Sequence, residues 1–233
     1  MKEEILRQIK SEQRFLNEEA KCKRDTEYFK ALATGKKLPS KIEGCPKGGV
    51  FFQKELTKRL RTLSGLPANP PKTNKLPDFK KIYDTLDKYI AAFPTPKNLV
   101  FIGGAGTGKT YAAQVVGNKL LDRGFSVLYI TAFSLIQKFK DFIFSHESID
   151  WLLSCDLLII DDLGTEPRLK NISDEYLLNV INERLTRELP FIITTNLAPD
   201  DILARYDQRL TSRILSKQSS VVIEMKGKDL RLS

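Results

Sequence analysis

The chain has 233 residues, of which 41% are apolar and 29% are charged, a composition typical of a folded globular protein rather than a disordered one. Its length fits one large domain, or a medium domain with a small appendage. No apolar run approaches the roughly eighteen residues of a membrane span, and the acidic first residues do not resemble a secretory signal. The three cysteines are widely spaced and odd in number, which excludes a disulfide scaffold and favours the reducing cytoplasm.

The net charge of +9 is concentrated in the N-terminal third of the chain. Residues 1–78 contain 18 basic and 10 acidic side chains, a net charge of +8, whereas residues 79–233 contain 20 and 19. A basic segment indicates an acidic partner, which is either a nucleic acid or an acidic protein surface. A solvated surface without a partner explains this modest excess equally well.

A stretch rich in proline, glycine, asparagine and lysine divides the chain at residues 64–78 and predicts an extended linker. Residues 1–63 predict a small helical region, because their composition favours helix and Leu56, Leu60 and Leu63 recur on one helix face. Residues 79–233 form the third predicted unit, and all the motifs described below lie within it.

Short apolar runs alternate with helical segments along residues 79–233. Five runs predict strands, at 98–102, 126–130, 156–160, 191–195 and 220–224. The segments between them predict helices, at 109–122, 132–144, 173–188 and 200–215. Continuous apolar strands separated by helices are typical of parallel sheets covered on both faces. We therefore expect an α/β domain with a five-stranded parallel sheet.

A glycine-rich segment follows the first predicted strand and opens the next helix. It fits the pattern G-x-x-x-x-G-K-[ST] and consists of Gly103, Gly104, Ala105, Gly106, Thr107, Gly108, Lys109 and Thr110. Glycine lets consecutive backbone N–H groups face one anion, and the helix adds the positive end of its dipole. We predict an ATP site in which Lys109 contacts the β- and γ-phosphates, Thr110 ligates Mg²⁺, and Tyr111 belongs to the same binding segment. The alternative is a glycine-rich turn that only connects strand and helix.

Two aspartates end the third predicted strand. Asp161 and Asp162 follow four apolar residues and should emerge at the carboxyl edge of the sheet, where ligands bind in such folds. We expect Asp161 to hold Mg²⁺, directly or through water, and Asp162 to polarise an attacking water. The alternative is a strand end that carries two solvated acids.

Together these motifs resemble an AAA+ ATPase of the initiator and helicase-loader clade, and especially the bacterial replicative-helicase loaders of the DnaC/DnaI type. The run DLLIIDDLG at 156–164 is similar to that family's Walker B element. Residues 194–214 are similar to its segment from sensor 1 to the arginine finger, and residues 225–231 to its terminal strand and tail. The resemblance covers about residues 95–233 and implies a P-loop core without a full lid domain.

The resemblance also implies roles for individual residues. Asn196 matches sensor 1, which positions the lytic water, although it is alternatively a turn residue. Arg213 matches the finger that reaches the γ-phosphate of a neighbouring subunit, and Arg209 shares its helix face, although helix-surface salt bridges are the alternative for such arginines. Arg231 matches a sensor-2-like charge. Asp162 stands where hydrolytic members commonly have glutamate, which implies slow hydrolysis.

By the same resemblance, the chain is expected to load a hexameric replicative helicase onto single-stranded DNA during replication initiation. ATP binding would assemble a homo-oligomer, hydrolysis would release it, and residues 1–63 would bind the helicase. Cys22, Cys45 and His146 do not have the spacing of a zinc module. The alternatives are an IstB-like transposition helper that binds duplex DNA, a non-catalytic adaptor that holds nucleotide, and, for residues 1–63, a helical cap.

A basic and aromatic helix lies between the second and third predicted strands, where initiator-type members contact single-stranded DNA. The resemblance implies that Lys138 and Lys140 bind phosphates while Phe139 or Phe142 packs on bases. The alternative for the phenylalanines is the buried stripe of an amphipathic helix, because they share one face with Leu135.

Overall fold

A computed structural model describes residues 57–58, 60–67, 80–94, 97–146, 148–169, 173–227 and 229. Arg231, Cys22, Cys45 and most of residues 1–63 lie outside these ranges, so the predictions made for them lie outside the described residues too. Residues 60–63, near the end of the predicted arm, are helical.

The described chain alternates between helices and strands. The helices are α1 (Lys80–Ala92), α2 (Lys109–Asp122), α3 (Ala132–Ser145), α4 (Asp150–Ser154), α5 (Ser173–Thr186) and α6 (Pro199–Ile214). The strands are β1 (Asn98–Ile102), β2 (Val127–Thr131), β3 (Leu157–Leu163), β4 (Phe191–Thr195) and β5 (Ser220–Glu224). Every strand and helix predicted for residues 79–233 is therefore present.

The five strands form one parallel sheet in the order β2-β3-β4-β1-β5. This order confirms the predicted α/β fold. From β1 the chain crosses through α2 to the sheet edge at β2, and β3 and β4 then fill the gap. The segments that follow β1, β3 and β4 therefore meet at the carboxyl edge of the sheet, where ligands bind in open α/β folds.

Each face of the sheet is covered by its own helices, because side chains alternate along a buried strand. Helices α1 and α2 bury one face together with Leu157 and Ile159 of β3. Helices α3, α4, α5 and α6 bury the other face together with Leu158 and Ile160. Residue 161 continues the alternation and so faces α2, the helix that follows the glycine-rich loop.

The described residues just before position 68 pack on the α1–α2 face. Leu60 and Leu66 are buried in the same apolar core as α1 and α2, and an Arg61 guanidinium nitrogen lies 2.8 Å from Oδ1 of Asp122. The division between arm and linker at residues 63 and 64 stays a prediction. The residues on both sides of that point contact the α/β domain.

Helix α6 is broken in its middle. Asp207 has φ 75° and ψ 172°, a left-handed conformation that separates two helical halves. Its carboxylate accepts a 3.0 Å hydrogen bond from the Leu210 N–H and so caps the second half, which carries Arg209 and Arg213.

Across the described ranges, no helix combines the length and apolar character that crossing a membrane requires.

Candidate nucleotide-binding site

The glycine-rich loop joins β1 to α2 and forms a cradle of backbone N–H groups. Gly103, Gly106 and Gly108 have positive φ angles, and Gly108 directly precedes α2. The Thr107 hydroxyl closes the loop by donating a 2.9 Å hydrogen bond to the Gly104 carbonyl. Such a loop at a helix N-terminus is an anion-binding site, because its N–H groups and the helix dipole favour negative charge.

Lys109 places a cation inside this loop. The side chain is only 4% exposed, and its ammonium donates hydrogen bonds of 2.9 Å to the Gly103 carbonyl and 2.6 Å to the Gly104 carbonyl. A compact ammonium beside a cradle of N–H groups fits the phosphates of a nucleotide. The donor set of the described loop therefore fits ATP, as the motif predicts.

Asp161 lies opposite the start of α2 and is 3% exposed. Its Oδ1 accepts hydrogen bonds from the hydroxyls of Thr110, at 3.0 Å, and Thr194, at 2.6 Å. Its Oδ2 accepts a 2.6 Å hydrogen bond from the Tyr129 hydroxyl. Hydroxyl and carboxylate oxygens are the ligands that Mg²⁺ prefers, so the paired Thr110 and Asp161 fit the predicted metal site. Their role as ligands stays a prediction.

Sequence analysis missed Thr194 and Tyr129. Both are polar side chains within buried apolar strands, and that is the only signal they leave in the sequence. Burial first, and then the hydrogen bond with Asp161, raise the pKa of the Tyr129 phenol far above its usual range. The hydroxyl therefore keeps its proton and donates a hydrogen bond to the carboxylate.

A bulge at the end of β3 gives the side chains of the two aspartates different orientations. The register of β3 against β4 shifts between Ile160 and Leu163, and Asp162 has a left-handed φ of 56°. The Asp162 N–H donates a 2.9 Å hydrogen bond to the Thr194 hydroxyl. Bulges redirect side chains next to functional sites, and here Asp161 is buried whereas Asp162 is partly exposed. The water-polarising role of Asp162 stays a prediction.

Asn196 follows β4 at the same edge of the sheet. Its neighbour Thr195 donates a 2.6 Å hydrogen bond to the Leu163 carbonyl, which ties the end of β4 to the end of β3. Asn196 is exposed, and its side chain makes no hydrogen bond within the described part of the chain. The position suits a water-positioning amide, and that role also stays a prediction.

The loop after β3 is anchored to α6 by a buried carboxylate. Glu166 accepts a 2.8 Å hydrogen bond from the Gly164 N–H, and it also accepts hydrogen bonds from the Tyr206 hydroxyl and, at 3.2 Å, from Arg205. This contact links the loop that follows the two aspartates to the helix that carries the two predicted arginines.

The two arginines of α6 have different partners. Arg209 is exposed and forms ion pairs of 3.1 Å with Glu175 and 3.3 Å with Asp207, so the salt-bridge alternative holds for it. Arg213 donates from Nε to the Asn182 side chain and from Nη1 to the Arg209 carbonyl at 2.9 Å. Within the described ranges Arg213 has no carboxylate partner, and its role as a finger stays a prediction.

Tyr111 packs against the apolar core between α1 and α2. Its hydroxyl is buried without a hydrogen-bond partner among the described residues. A contact between Tyr111 and a bound nucleotide stays a prediction.

Helix α3 arranges its aromatic residues differently from the predicted DNA contact. Phe139 is fully buried in the core that α3, α4, α5 and α6 share, so it is not available to stack on bases, and its place in a buried amphipathic stripe is confirmed. Phe142 packs edge-on against Tyr176, with ring centroids 5.9 Å apart. Lys138 pairs with Asp141 at 2.9 Å.

Two other phenylalanines of α3 face outward. Phe133 is 53% exposed and Phe144 is 74% exposed, and Lys140 lies partly exposed between them along the helix.

No group of three or more histidine, cysteine or acidic side chains placed to hold a metal occurs in the described ranges.

Comparison with protein families matches residues 80–233 to the family described as "IstB-like ATP binding protein". The chain belongs to this family. It is therefore an IstB-like ATP-binding protein.

Two curated relatives of this IstB-like chain are named as helicase loaders. The replicative helicase loader DnaI of Bacillus subtilis (strain 168) is 22% identical over 181 residues, which cover 76% of this chain and 57% of DnaI. The replicative helicase loader DnaC of Escherichia coli (strain K12) is 30% identical over 156 residues, which cover 64% of this chain and 60% of DnaC. The matches therefore span less than two thirds of either loader.

Solved structures support the fold. The crystal structure of the DnaC helicase loader matches with a TM-score of 0.57 at 22% identity, and the match covers 63% of this chain and 89% of that one. This similarity confirms the predicted α/β fold of the IstB-like chain.

Proposed function

We propose that this chain is a Mg²⁺-dependent ATPase that loads a hexameric replicative helicase onto single-stranded DNA during replication initiation. The observation that carries the proposal is the 3.0 Å hydrogen bond between Thr110 and Asp161 beside the buried ammonium of Lys109. In this arrangement a cation suited to phosphate and two oxygen ligands of the kind that Mg²⁺ prefers lie together at one edge of the sheet. The two relatives named as helicase loaders support the choice of partner.

The site residues divide the work of hydrolysis. The loop N–H groups and Lys109 would hold the phosphates, and Thr110 and Asp161 would hold the metal. When bound, Mg²⁺ supplies positive charge to the phosphate oxygens. Asp162 and Asn196 lie at the same edge and would orient the attacking water. The short side chain of Asp162 accounts for the slow hydrolysis that we expect.

A neighbouring copy of the chain would complete the site. In a homo-oligomer assembled by ATP, Arg213 would leave its contact with Asn182 and reach the γ-phosphate of the next subunit. The planar, permanently charged guanidinium suits that anion. Both contacts that Arg213 makes in the described chain are with neutral groups, which cost less to exchange than an ion pair would.

Single-stranded DNA is the second proposed partner, and α3 is its proposed contact. Lys138 and Lys140 would bind phosphates, as predicted, but the exposed rings of Phe133 and Phe144 replace Phe139 as surfaces for base stacking.

A transposition helper ATPase is the second candidate, because the matching family is named for IstB. It would bind duplex DNA and require a transposase in place of a helicase. An adaptor that holds nucleotide without hydrolysing it is the third candidate.

The deciding experiment mixes the full chain with the hexameric replicative helicase of its host, with and without ATP and Mg²⁺. Complex formation is followed by size-exclusion chromatography, and loading by helicase retention on circular single-stranded DNA. We expect an ATP-dependent complex and loading. Absence of a complex contradicts the loader, and ATP-dependent binding of duplex DNA alone favours the transposition helper.

Two lysines of α2 provide a matched pair of variants. Lys109→Ala should abolish ATP hydrolysis, because it removes the buried ammonium from the phosphate site. Lys119→Ala should leave hydrolysis unchanged, because within the described ranges Lys119 forms only a surface ion pair of 2.8 Å with Asp87. Persistent hydrolysis in Lys109→Ala would show that the loop is not the ATP site. ATP binding without hydrolysis in the unmodified chain favours the adaptor.

A further inference from the structure

We propose that Tyr129 is a positioning residue that couples the docking of residues 64–66 to the orientation of the Asp161 carboxylate. Through this coupling, the segment that precedes the α/β domain would control the affinity of the site for Mg²⁺–ATP. The inference rests on the proposed function, because it assigns regulation to the same nucleotide site.

The side chain of Tyr129 forms one half of the coupling. Its hydroxyl donates a 2.6 Å hydrogen bond to Oδ2 of Asp161, while Thr110 and Thr194 donate to Oδ1. A carboxylate bonded at both oxygens cannot rotate freely. The rigid phenol ring therefore sets the angle at which Asp161 faces Thr110, and with it the geometry offered to Mg²⁺.

The backbone of Tyr129 forms the other half. Strand β2 is an edge of the sheet, and the Tyr129 N–H donates a 2.6 Å hydrogen bond to the Ser64 carbonyl. Gly65 has a left-handed φ of 72°, and a Cβ built on it would lie 2.5 Å from the Tyr129 carbonyl oxygen. Residues 64 and 65 therefore fit tightly against this one residue of β2.

The docked segment is held in place on both sides of Gly65. Ser64 is buried, and its hydroxyl donates to the Arg61 carbonyl at 2.8 Å and accepts the Leu66 N–H at 3.1 Å. Leu66 is buried in the core beside α2, and Arg61 reaches Asp122 at the end of that helix. A displacement of this segment would be transmitted to Tyr129 because the contacts leave little free space.

Residues 1–63, which the family resemblance implies would bind the helicase, connect directly to this segment. A partner that moves them would act on the Tyr129 backbone, and the Tyr129 hydroxyl would carry the change to Asp161. Coupling between two sites is reciprocal, so Mg²⁺–ATP must also stabilise the docked segment.

The test is a double-mutant cycle on the full chain, with ATP affinity measured by calorimetry in Mg²⁺ and in EDTA. Gly65→Ala collides with the Tyr129 carbonyl, and Tyr129→Phe removes only the hydroxyl. We expect each variant to weaken Mg²⁺–ATP binding about fivefold or more, the lower range of measured couplings, and to leave ATP binding in EDTA unchanged. Added to Tyr129→Phe, Gly65→Ala should have no further effect.

Hydrogen exchange of residues 60–66 provides a readout that does not depend on hydrolysis. Mg²⁺–ATP should slow exchange there in the unmodified chain and leave it unchanged in Tyr129→Phe. Arg61→Ala provides a milder release of the segment in case Gly65→Ala does not fold, and it should weaken binding in the same direction. Thr62→Ala is the matched control, because Thr62 is exposed and, among the described residues, its hydroxyl bonds only to the Lys58 carbonyl.

The possible outcomes separate the two proposals. Independent, multiplicative effects of Gly65→Ala and Tyr129→Phe, or equal exchange in the unmodified chain and Tyr129→Phe, overturn the coupling while the proposed ATP site stands. If the unmodified chain does not bind ATP, the proposed function fails and the coupling fails with it.

Discussion

The Thr194 hydroxyl donates a hydrogen bond of 2.6 Å to Oδ1 of Asp161. The same oxygen of Thr194 accepts the Asp162 N–H at 2.9 Å, so one side chain of β4 fixes both aspartates at the bulged end of β3. Thr194 is fully buried, and so water cannot replace these bonds when the hydroxyl is removed.

We therefore predict that Thr194→Val lowers Mg²⁺-dependent ATP hydrolysis by about tenfold or more. Valine has nearly the same shape but leaves the Asp162 N–H without its partner and leaves Oδ1 of Asp161 bonded to Thr110 alone, a cost of about 1–3 kcal/mol. Steady-state hydrolysis as a function of Mg²⁺ concentration measures the effect. Thr194→Ser keeps the hydroxyl and should retain most of the activity, and equal losses in the two variants would indicate a packing defect instead.

A second prediction concerns Arg213. Arg213→Ala should retain ATP binding but lose DNA- or helicase-stimulated hydrolysis, by a factor of about 10³ if it acts as a finger in trans. Calorimetry measures binding, and hydrolysis is measured with and without partner. Mixing Arg213→Ala with Lys109→Ala should restore part of the activity, because an intact site of one subunit can meet an intact finger of another.

Arg209→Ala is the matched control for Arg213, since the two lie one turn apart and Arg209 is already engaged with Glu175 and Asp207. It should change stimulated hydrolysis only slightly. If Arg213→Ala hydrolyses ATP normally in the presence of partner, Arg213 is a structural residue that joins α6 to α5.

Contiguous patterns made most of this fold predictable. The loop from Gly103 to Thr110 is a motif of consecutive residues, so the sequence alone reveals it. Its place after β1 follows from the hydrophobic pattern. Tyr129 and Thr194 lie on other strands, and their approach to Asp161 depends on the order β2-β3-β4. The sequence predicts that these strands exist but not which of them are neighbours, so it does not predict the hydrogen bonds between them.

Helix α3 illustrates a second limit. The spacing of Leu135, Phe139 and Phe142 predicts an amphipathic face, and Phe139 is buried as that face requires. The sequence does not show that Tyr176 of α5 packs against Phe142, because this contact depends on how the two helices lie on the sheet. Resemblance to DNA-binding members directed attention to this helix, but it did not show which of its rings face outward.

A third prediction tests that outward face. Phe144→Ala and Lys140→Ala should each weaken binding of single-stranded DNA, by about 1–3 kcal/mol for a lost stacking ring. Lys140→Ala should also reduce the slope of log K against log salt concentration by about one unit, because one phosphate contact is lost. Fluorescence anisotropy over a range of salt concentrations measures both. Unchanged affinity in both variants would exclude α3 as the DNA contact.

A fourth prediction concerns Arg184, which is fully buried in α5. Its guanidinium donates to four backbone carbonyls, those of Leu152 at 2.6 Å, Cys155 at 3.2 Å, Asp156 at 3.4 Å and Pro190 at 2.8 Å. Arg184→Ala removes these buried hydrogen bonds and leaves a cavity, so the free energy of unfolding should fall by about 3 kcal/mol or more. Urea unfolding monitored by circular dichroism measures it.

Arg187 directly follows α5 and serves as the control for Arg184. It is exposed and pairs with Glu183 at 3.1 Å, a contact worth about 0.5 kcal/mol. Arg187→Ala should therefore unfold at nearly the same urea concentration as the unmodified chain. A similar loss in both variants would mean that the buried contacts of Arg184 contribute little.

The final prediction concerns pH and the break in α6. The Asp207 carboxylate accepts the backbone N–H of Leu210 and lies beside Arg209, and these contacts lower the pKa of the carboxyl below its usual value. Ionised Asp207 therefore stabilises the fold above the unfolded-state pKa of about 3.9, and this contribution is lost as pH falls through the lower folded-state pKa.

Asp207→Asn keeps a capping oxygen but has no charge. Its Tm should be lower than that of the unmodified chain at about pH 7, by no more than about 3 °C because the group is exposed, and the two Tm values should converge toward about pH 3. Differential scanning calorimetry over that range measures the difference, and a constant offset would show that the charge of Asp207 does not contribute.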